Sequence, residues 1–214
     1  MEKLYEVFYE RYPKLKIHDE KIKEAYKVME EAYSKKKKLL VCGNGGSACD
    51  SEHVVGELMK SFLFKRKIEE SISIELKNKF GNDGAFLAEN LEGALPAIAV
   101  TQHTALNTAF LNDVSGELIY AQQVYGYGEP GDVLLGFSTS GKAKNVLAAF
   151  KVAKAKGIKT IAITGSTPNA LVELCDVIIQ LPGNETPYIQ EQTIPIYHLL
   201  CSLLEKHFFK KLTN

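Results

Sequence analysis

The sequence predicts an α/β protein built as a three-layer α/β/α sandwich around a five-stranded parallel sheet. Five short apolar runs recur along the chain, at residues 39–42, 97–101, 133–138, 160–164 and 176–181. Helix-patterned stretches lie between most of them and begin near Ser47, Ser115, Lys142 and Pro168. Strands that alternate with helices are typical of a parallel sheet covered on both faces. With 214 residues, 45% of them hydrophobic, the chain is expected to form one domain over residues 1–214.

The two ends of the chain are predicted to be helical. Residues 1–36 form an N-terminal helical extension, in which Asp19 is the expected N-cap of an amphipathic helix over about 20–36. The apolar residues at helical spacing are Ile22, Ala25, Tyr26, Met29, Ala32 and Tyr33. A long helix is expected over about 187–209, interrupted and kinked at Pro195 because proline removes a backbone hydrogen bond.

Residues 63–95 break the alternation of strands and helices. They are rich in charge and carry a Gly-Asn-Asp-Gly turn at 81–84. An insertion of this kind could be a lid or an oligomer contact, and the pattern assigns it no role.

The charge balance and the cysteines restrict the functional classes. Lys plus Arg equals Asp plus Glu at 26 each, which argues against partners such as nucleic acid or anionic lipid. We find neither a signal-peptide pattern nor an apolar run long enough to span a membrane. The four cysteines, none in a CxxC pair, are expected to be small core residues in a reducing compartment, which predicts a cytoplasmic protein.

Two strands end in turns of unusual composition, CGNGGSA at 42–48 and FSTSGK at 137–142. Ligands of open parallel sheets bind outside the carboxyl ends of the strands, so both turns predict one crevice. Glycines allow close approach of the backbone, and hydroxyls at a helix N-terminus suit an anion such as a phosphate on Ser138, Thr139 and Ser140. Neither turn is a Walker loop or a complete dinucleotide fingerprint. The alternative is that both are simply tight turns with helix caps.

Four polar side chains form a second candidate group. His53 and Glu57 are four residues apart on one helix face, which suits a shared metal or an acid/base pair, although such pairs also occur as surface hydrogen bonds. Gln190 and His198 follow near the C-terminus. His198 stands among apolar residues, where a purely structural histidine is the alternative.

Four segments together resemble the SIS (sugar isomerase) domain family and, within it, the bacterial phosphoheptose isomerases. They are CGNGGSACDSEH, GDVLLGFSTSGKAKNV, IKTIAITG and TPYIQEQTIPIYH, and the resemblance covers roughly residues 20–209. It implies a flavodoxin-like five-stranded parallel sheet and a homotetramer with active sites at subunit interfaces. It also implies the interconversion of sedoheptulose 7-phosphate with a manno-heptose 7-phosphate.

The resemblance also implies roles for individual residues. Ser138, Thr139 and Ser140 would hold the phosphate, while the other substrate contacts would come from Asn44, Gly45, Ser47 and Gln190. The zinc ligands would be His53, Glu57, Gln190 and His198. Glu57 and His198 would be the proton-transferring pair of an enediol mechanism, in which a base moves a proton between two carbons and an acid serves the oxygens.

Gln190 and His198 are eight residues apart, about 12 Å along an ideal helix, which is too far for both to reach one metal from a straight helix. Three explanations remain open: Gln190 precedes the helix, Pro195 bends it, or a neighbouring subunit supplies one ligand.

The sequence departs from the family pattern at several positions. Lys142 and Ala143 replace the end of a common STSGNS motif, so one phosphate-binding hydroxyl is lost. Gln102 stands where an acidic residue is common, and Ser61 where an arginine is frequent. His103 could contact the substrate or simply bond to the backbone. Two alternatives to a heptose phosphate isomerase therefore remain: an isomerase or lyase of another phosphosugar, and a non-catalytic scaffold that binds phosphosugars.

Overall fold

The predicted three-layer sandwich is confirmed by the computed structural model, which describes residues 1–209. Its middle layer is a parallel sheet with the strand order 2-1-3-4-5. Residues 210–214, which the predicted single domain includes, lie outside the described residues. The strands are β1 (Leu39–Cys42), β2 (Ala97–Ala99), β3 (Val133–Ser138), β4 (Lys159–Gly165) and β5 (Val177–Leu181).

Helices cover both faces of this sheet, and each face has its own hydrophobic core. The helices are α1 (Glu2–Arg11), α2 (Asp19–Ser34), α3 (Gly46–Met59), α4 (Glu70–Asn90), α5 (Thr104–Asp113), α6 (Ile119–Tyr127), α7 (Lys144–Ala155), α8 (Leu171–Leu174) and α9 (Thr186–Phe209). On one face, α1, α2, α3 and α9 pack on residues such as Val41, Leu135 and Ile163. On the other face, α6, α7 and α8 pack on Leu40 and Leu134.

The central strands are buried on both sides, which explains why they appear in the sequence as continuous apolar runs. All six residues of β3 are buried, and they pair with β1 on one side and β4 on the other. Alternate side chains enter opposite cores, as the two-residue period of a strand requires. The strand predictions therefore hold to within two residues at each end.

Asp19 is not the N-cap of α2. The helix includes Asp19 as its first residue, and His18 occupies the cap position without a side-chain hydrogen bond. The Asp19 carboxylate instead accepts a 2.8 Å hydrogen bond from the Tyr9 hydroxyl and pairs with Lys23 at 2.6 Å. An acidic group in the first turn still favours the helix dipole.

A helical stretch begins near Ser115 as expected, and a helix that the pattern did not predict precedes it. The chain first forms α5 at Thr104–Asp113, which has no buried residue and hence no apolar stripe that a pattern could reveal. Ser115 then caps a short 3₁₀ turn at Gly116–Leu118 by accepting from the Glu117 amide at 3.1 Å. The α6 helix follows it directly.

The insertion at 63–95 is largely helical. The glycine turn predicted there is present, since Gly81 adopts a φ of 54° and breaks α4 into two helical segments. Gly84 then passes so close to the Leu76 carbonyl that a Cβ atom would not fit. Among the residues of α4 only Gly84 is buried, while Ile72, Ile74, Phe80 and Phe86 are each more than half exposed.

Two smaller expectations are wrong. The helix α9 is not interrupted, because it continues from Thr186 to Phe209 with Pro195 inside it. Cys49 is exposed rather than part of the core, whereas Cys42 and Cys201 are buried and Cys175 is partly buried. Within residues 1–209, no helix has the length and apolar character that a bilayer crossing requires.

Candidate active site

The two turns that contain glycines and hydroxyls lie side by side at the carboxyl ends of the strands. They follow β1 and β3, which are neighbours at the point where the strand order reverses, the usual place for a ligand crevice. Asn44 in the first turn and Asn145 at the start of α7 exchange two hydrogen bonds, each of 2.9 Å, between their side-chain amides. The predicted convergence of the turns is therefore realised in the fold.

The first turn depends on glycine. Gly45 has φ 57° and ψ −121°, a conformation that residues with a Cβ rarely adopt, and it directs the chain from β1 into α3. Ser47 is buried, and its amide donates to the Asn44 carbonyl at 3.1 Å. The Tyr120 hydroxyl donates to the Gly43 carbonyl at 2.7 Å and lies 3.0 Å from Oδ1 of Asn44. Tyr120 had no signal in the sequence, since it is far from the turn that it supports.

The second turn carries the hydroxyls predicted to bind phosphate. Ser138 ends β3, and its carbonyl accepts from the amide of Gly141, which has a φ of 63°. Oγ of Ser140 accepts from the Lys142 amide at 3.2 Å. Ala143 occupies the N-cap of α7 and has no side-chain oxygen to cap the helix. Oδ1 of Asn145 accepts from the Val146 amide at 2.9 Å, and the amides before it can receive an anion.

Three of the four polar candidates come together between α3 and α9. Nε2 of His53 lies 3.0 Å from Oε1 of Glu57. The ring of His198 packs edge-on against the ring of His53, with 4.9 Å between centroids. Oε2 of Glu57 and Nε2 of His198 are buried and have no hydrogen-bond partner within residues 1–209. Buried polar atoms usually have a hydrogen-bond partner, so these two atoms remain available to a group from outside the described residues.

Hydrogen bonds on the Nδ1 side of its ring, opposite Glu57, orient His53. The Tyr197 hydroxyl lies 3.3 Å from Oδ1 of Asp50 and 3.0 Å from Nδ1 of His53. Burial raises the pKa of Asp50, although its bond from Tyr197 and the nearby His53 lower it. Sequence reasoning missed both Asp50 and Tyr197. Their only signal was position, since Asp50 lies one turn before His53 and Tyr197 directly precedes a candidate histidine.

The surroundings of His198 lower the pKa of its imidazole. Burial has the largest effect, the neighbouring His53 lowers the pKa further, and Glu57 opposes both. A neutral imidazole can donate from one ring nitrogen and accept at the other, which suits transfer of protons between oxygen atoms.

Gln190 lies apart from this cluster. A Cβ atom added to Gly46 would lie 2.6 Å from Nε2 of Gln190, so the amide packs against the first residue of α3. Seven residues, about 10 Å of helix, separate Gly46 from His53. Gln190 lies within α9, which excludes the explanation that it precedes the helix. The single chain thus puts Gln190 beside the turn that follows β1 and His198 beside His53.

The donor set suits a zinc ion in its chemistry. Histidine nitrogens and a carboxylate are common zinc ligands, and both Glu57 and His198 retain an unsatisfied atom. Within residues 1–209, however, no group of three or more His, Cys, Asp or Glu side chains is already arranged around a metal position.

The residues that depart from the family pattern have local partners. Nδ1 of His103 accepts from the Leu106 amide at 3.3 Å and caps α5, which confirms the backbone-bonded alternative. Gln102 and His103 line an open cavity of about 540 Å³ beside β2. Oγ of Ser61 accepts from the amide of Arg66 at 3.0 Å.

The reversed strand order, the two turns and the cluster between α3 and α9 define an α/β domain of the sugar isomerase type. In agreement, the model of the SIS domain family matches residues 14–93 and 87–165.

The phosphoheptose isomerase of Nitratiruptor sp. is 40% identical over 178 residues, which are 83% of this chain and 81% of the relative. That of Clostridium acetobutylicum is 37% identical over 190 residues, covering 89% and 84% of the two chains. The solved structure of the Neisseria gonorrhoeae phosphoheptose isomerase superposes with a TM-score of 0.73 at 28% identity, covering 96% of this chain and 98% of that one. The chain belongs to the SIS domain family and, within it, to the phosphoheptose isomerases.

Proposed function

We propose that this phosphosugar isomerase interconverts sedoheptulose 7-phosphate and D-glycero-D-manno-heptose 7-phosphate. One observation carries the mechanism: the carboxylate of Glu57 and the imidazole of His198 lie together, and each has a buried atom without a hydrogen-bond partner among residues 1–209. The ammonium of Lys60 lies 3.7 Å from that buried carboxylate oxygen. An aldose–ketose isomerisation needs such a pair of groups, one for carbon and one for oxygen.

In this mechanism Glu57 is the base. Its carboxylate takes a proton from C1 of the ketose and later returns that proton to C2. His198 donates a proton to the C2 oxygen and accepts one from the C1 hydroxyl, so the enediol forms and collapses without net gain or loss of protons. The neutral state of His198, which burial favours, suits both of its steps.

The turn after β3 would hold the phosphate. Ser138, Thr139 and Ser140 would contribute hydroxyl and amide groups at the start of α7. Ala143 removes one hydroxyl from the common pattern, and Lys142 offsets this loss electrostatically. The Lys142 side chain is exposed, and its ammonium pairs with no carboxylate among residues 1–209. Asn44, Gly45, Ser47 and Gln190 would contact the sugar.

Zinc would be held by His53, Glu57 and His198. Gln190, the fourth ligand of the family pattern, lies apart from them within one chain, so a neighbouring subunit would supply it. When bound, the ion would stabilise the oxyanion that develops on the sugar. The chain from Asp50 through Tyr197 to Nδ1 of His53 supports this assignment, since it fixes the ring and leaves Nε2 on the side of Glu57.

We also propose a homotetramer with active sites at subunit interfaces. Exposed apolar side chains on α4 and the lack of any buried residue on α5 support it, because such surfaces favour association. The buried, unpaired thiols of Cys42 and Cys201 are in keeping with a cytoplasmic enzyme. The molar mass in solution, measured by light scattering, tests the tetramer, and a monomer at micromolar concentration would contradict it.

Glu57→Gln is the direct test of the mechanism. Glutamine keeps the size of the side chain but cannot take a proton, so turnover of sedoheptulose 7-phosphate should fall by about 10²–10⁴-fold while the thermal unfolding midpoint changes little. Glu52→Gln is the matched control, because Glu52 lies on the same helix and makes only a 3.4 Å contact with Thr101. A fully active Glu57→Gln variant would exclude Glu57 as the base.

A panel of ketose and aldose phosphates separates this substrate from other phosphosugars, and elemental analysis of the purified protein tests for zinc. Turnover of a different phosphosugar would retain the isomerase and replace the heptose. If no phosphosugar were turned over, the binding scaffold would be the better interpretation.

A further inference from the structure

A buried ion pair lies below the catalytic cluster and has no part in the proton transfers described so far. Nε of Arg66 donates to Oε1 of Glu205 at 2.8 Å, and both side chains are fully buried. Arg66 follows the end of α3 in the chain, while Glu205 belongs to α9. Charged side chains are seldom buried this completely, and each must be fully hydrogen-bonded when they are.

The guanidinium of Arg66 binds the last turn of α3. Nη2 donates to the carbonyl of Glu57 at 2.8 Å, and Nη1 donates to the carbonyl of Leu58 at 2.7 Å. Carbonyls in the last turn of a helix have no partner within the helix. Arg66 supplies a donor to the Glu57 carbonyl, and it shares the Leu58 carbonyl with the Leu95 amide, which donates at 2.9 Å. The guanidinium also stacks on the ring of Phe209, 4.8 Å from its centroid.

Glu205 completes the connection from the side of α9. Its two carboxylate oxygens accept from the amides of Phe62 and Leu63, each at 2.7 Å. These amides belong to the segment that leaves α3. Glu205 is seven residues beyond His198, which is almost two full turns, so both side chains lie on the face of α9 that packs against α3.

We propose that Arg66 and Glu205 are positioning residues that fix the carboxylate of Glu57 relative to the imidazole of His198. Arg66 holds the backbone of Glu57 itself, and Glu205 ties that arginine to the helix that carries His198. This inference rests on the proposed function. An ion pair needed only for folding would stabilise the protein without setting the distance between Glu57 and His198.

The proposal predicts a loss of turnover without an equal loss of substrate binding. Lysine in place of Arg66 keeps the charge beside Glu205 but cannot reach both carbonyls at once. Arg66→Lys should therefore lower kcat about 100-fold, as expected for a misplacement of about 1 Å, while KM stays within about threefold of the wild type.

Asp132→Asn is the control for a general loss of stability. Asp132 is also buried and accepts from the amides of Lys38 and Glu129, but it precedes β3 at the opposite end of the strands from the site. This variant should lower the unfolding midpoint and keep the wild-type kcat at temperatures where it is folded. If Arg66→Lys kept kcat within about twofold, or if both variants lost kcat equally, the positioning role would be excluded.

Two further measurements keep the test decisive. Should Arg66→Lys not fold, Phe209→Leu removes only the stacked ring and should lower kcat in the same direction by a smaller factor; an unchanged kcat would refute the proposal. Imidazole resonances of His53 and His198, recorded by ¹⁵N NMR, report position without turnover. They should shift in the Arg66 variant and stay in place in the Asp132 variant, even if the wild type were inactive on every phosphosugar and the proposed function had failed. Resonances that do not move would overturn the positioning role.

Discussion

Gly46→Ala separates the folding of the first turn from the function of Gln190. The added Cβ atom would lie 2.6 Å from Nε2 of Gln190, whereas ordinary contacts of a Cβ begin at 3.4 Å. The amide must therefore retreat by about 1 Å, and it can do so because it is the end of a flexible side chain.

The effect on stability should be small or favourable. Gly46 is the first residue of α3, and alanine is better than glycine in a helix by up to about 1 kcal/mol. The effect on function should be unfavourable. If Gln190 gives the substrate or its metal one hydrogen bond or ligand contact, losing it costs about 1 kcal/mol, which is a five- to tenfold decrease in kcat/KM.

The assay compares kcat/KM and the thermal midpoint of Gly46→Ala with those of Gly56→Ala. Gly56 lies on the same helix, and a Cβ atom there would meet nothing within 4 Å. The control should gain a similar stability and keep its activity. Wild-type kcat/KM in Gly46→Ala would refute a role for Gln190, and an equal loss in both variants would show that the effect does not come from Gln190.

Three further predictions concern neighbouring parts of the molecule. Tyr197→Phe removes the hydroxyl that orients His53, so zinc affinity in a competition titration should fall about 10–100-fold, and an unchanged affinity would contradict the orienting role. Ala143→Ser adds an oxygen at the N-cap of α7, which should raise stability by about 1 kcal/mol in urea unfolding and lower KM for the phosphosugar; a higher KM would argue against phosphate at this turn. Burial would raise the pKa of Asp176, but hydrogen bonds from Thr160 and the charge of Lys159 outweigh it and lower the pKa. The stabilisation is therefore present above the unfolded pKa of about 3.9 and is lost as the pH falls through the lower folded pKa. In Asp176→Asn, the free energy of unfolding, measured in urea at a series of acidic pH values, should depend less on pH than in the wild type.

The sequence predicted those parts of the fold that leave a local pattern. Strands buried on both faces appear as apolar runs, and α2 appears as a stripe of buried residues. The helix α5 left no such stripe because none of its residues is buried. The choice of Asp19 as a cap failed because tertiary contacts with Tyr9 competed for the same carboxylate.

The candidate site likewise has parts that the sequence predicted and parts that it did not. Its turns were visible because glycines and hydroxyls cluster within a few residues of a strand end. The contacts that organise the site join distant parts of the chain: Tyr120 to Asn44 across 76 residues, and Tyr197 to Asp50 across 147. The first contact arises because α6 packs beside the turn after β1, and the second because α9 packs on α3, so no local pattern encodes either pairing.

The side-chain amide of Asn145 occupies the hydrogen-bonding groups of Asn44 that face the crevice, so it competes with any ligand for them. If a sugar hydroxyl took the place of Asn145 on Asn44, it would break two existing hydrogen bonds of 2.9 Å. Binding is then an exchange of hydrogen bonds and contributes little net affinity. A sugar that lacks a hydroxyl at this position could not replace the hydrogen bonds between Asn44 and Asn145. It would either leave them in place or break them with no new bond in return. The closed pair thus favours selectivity among sugars over tight binding of any one of them.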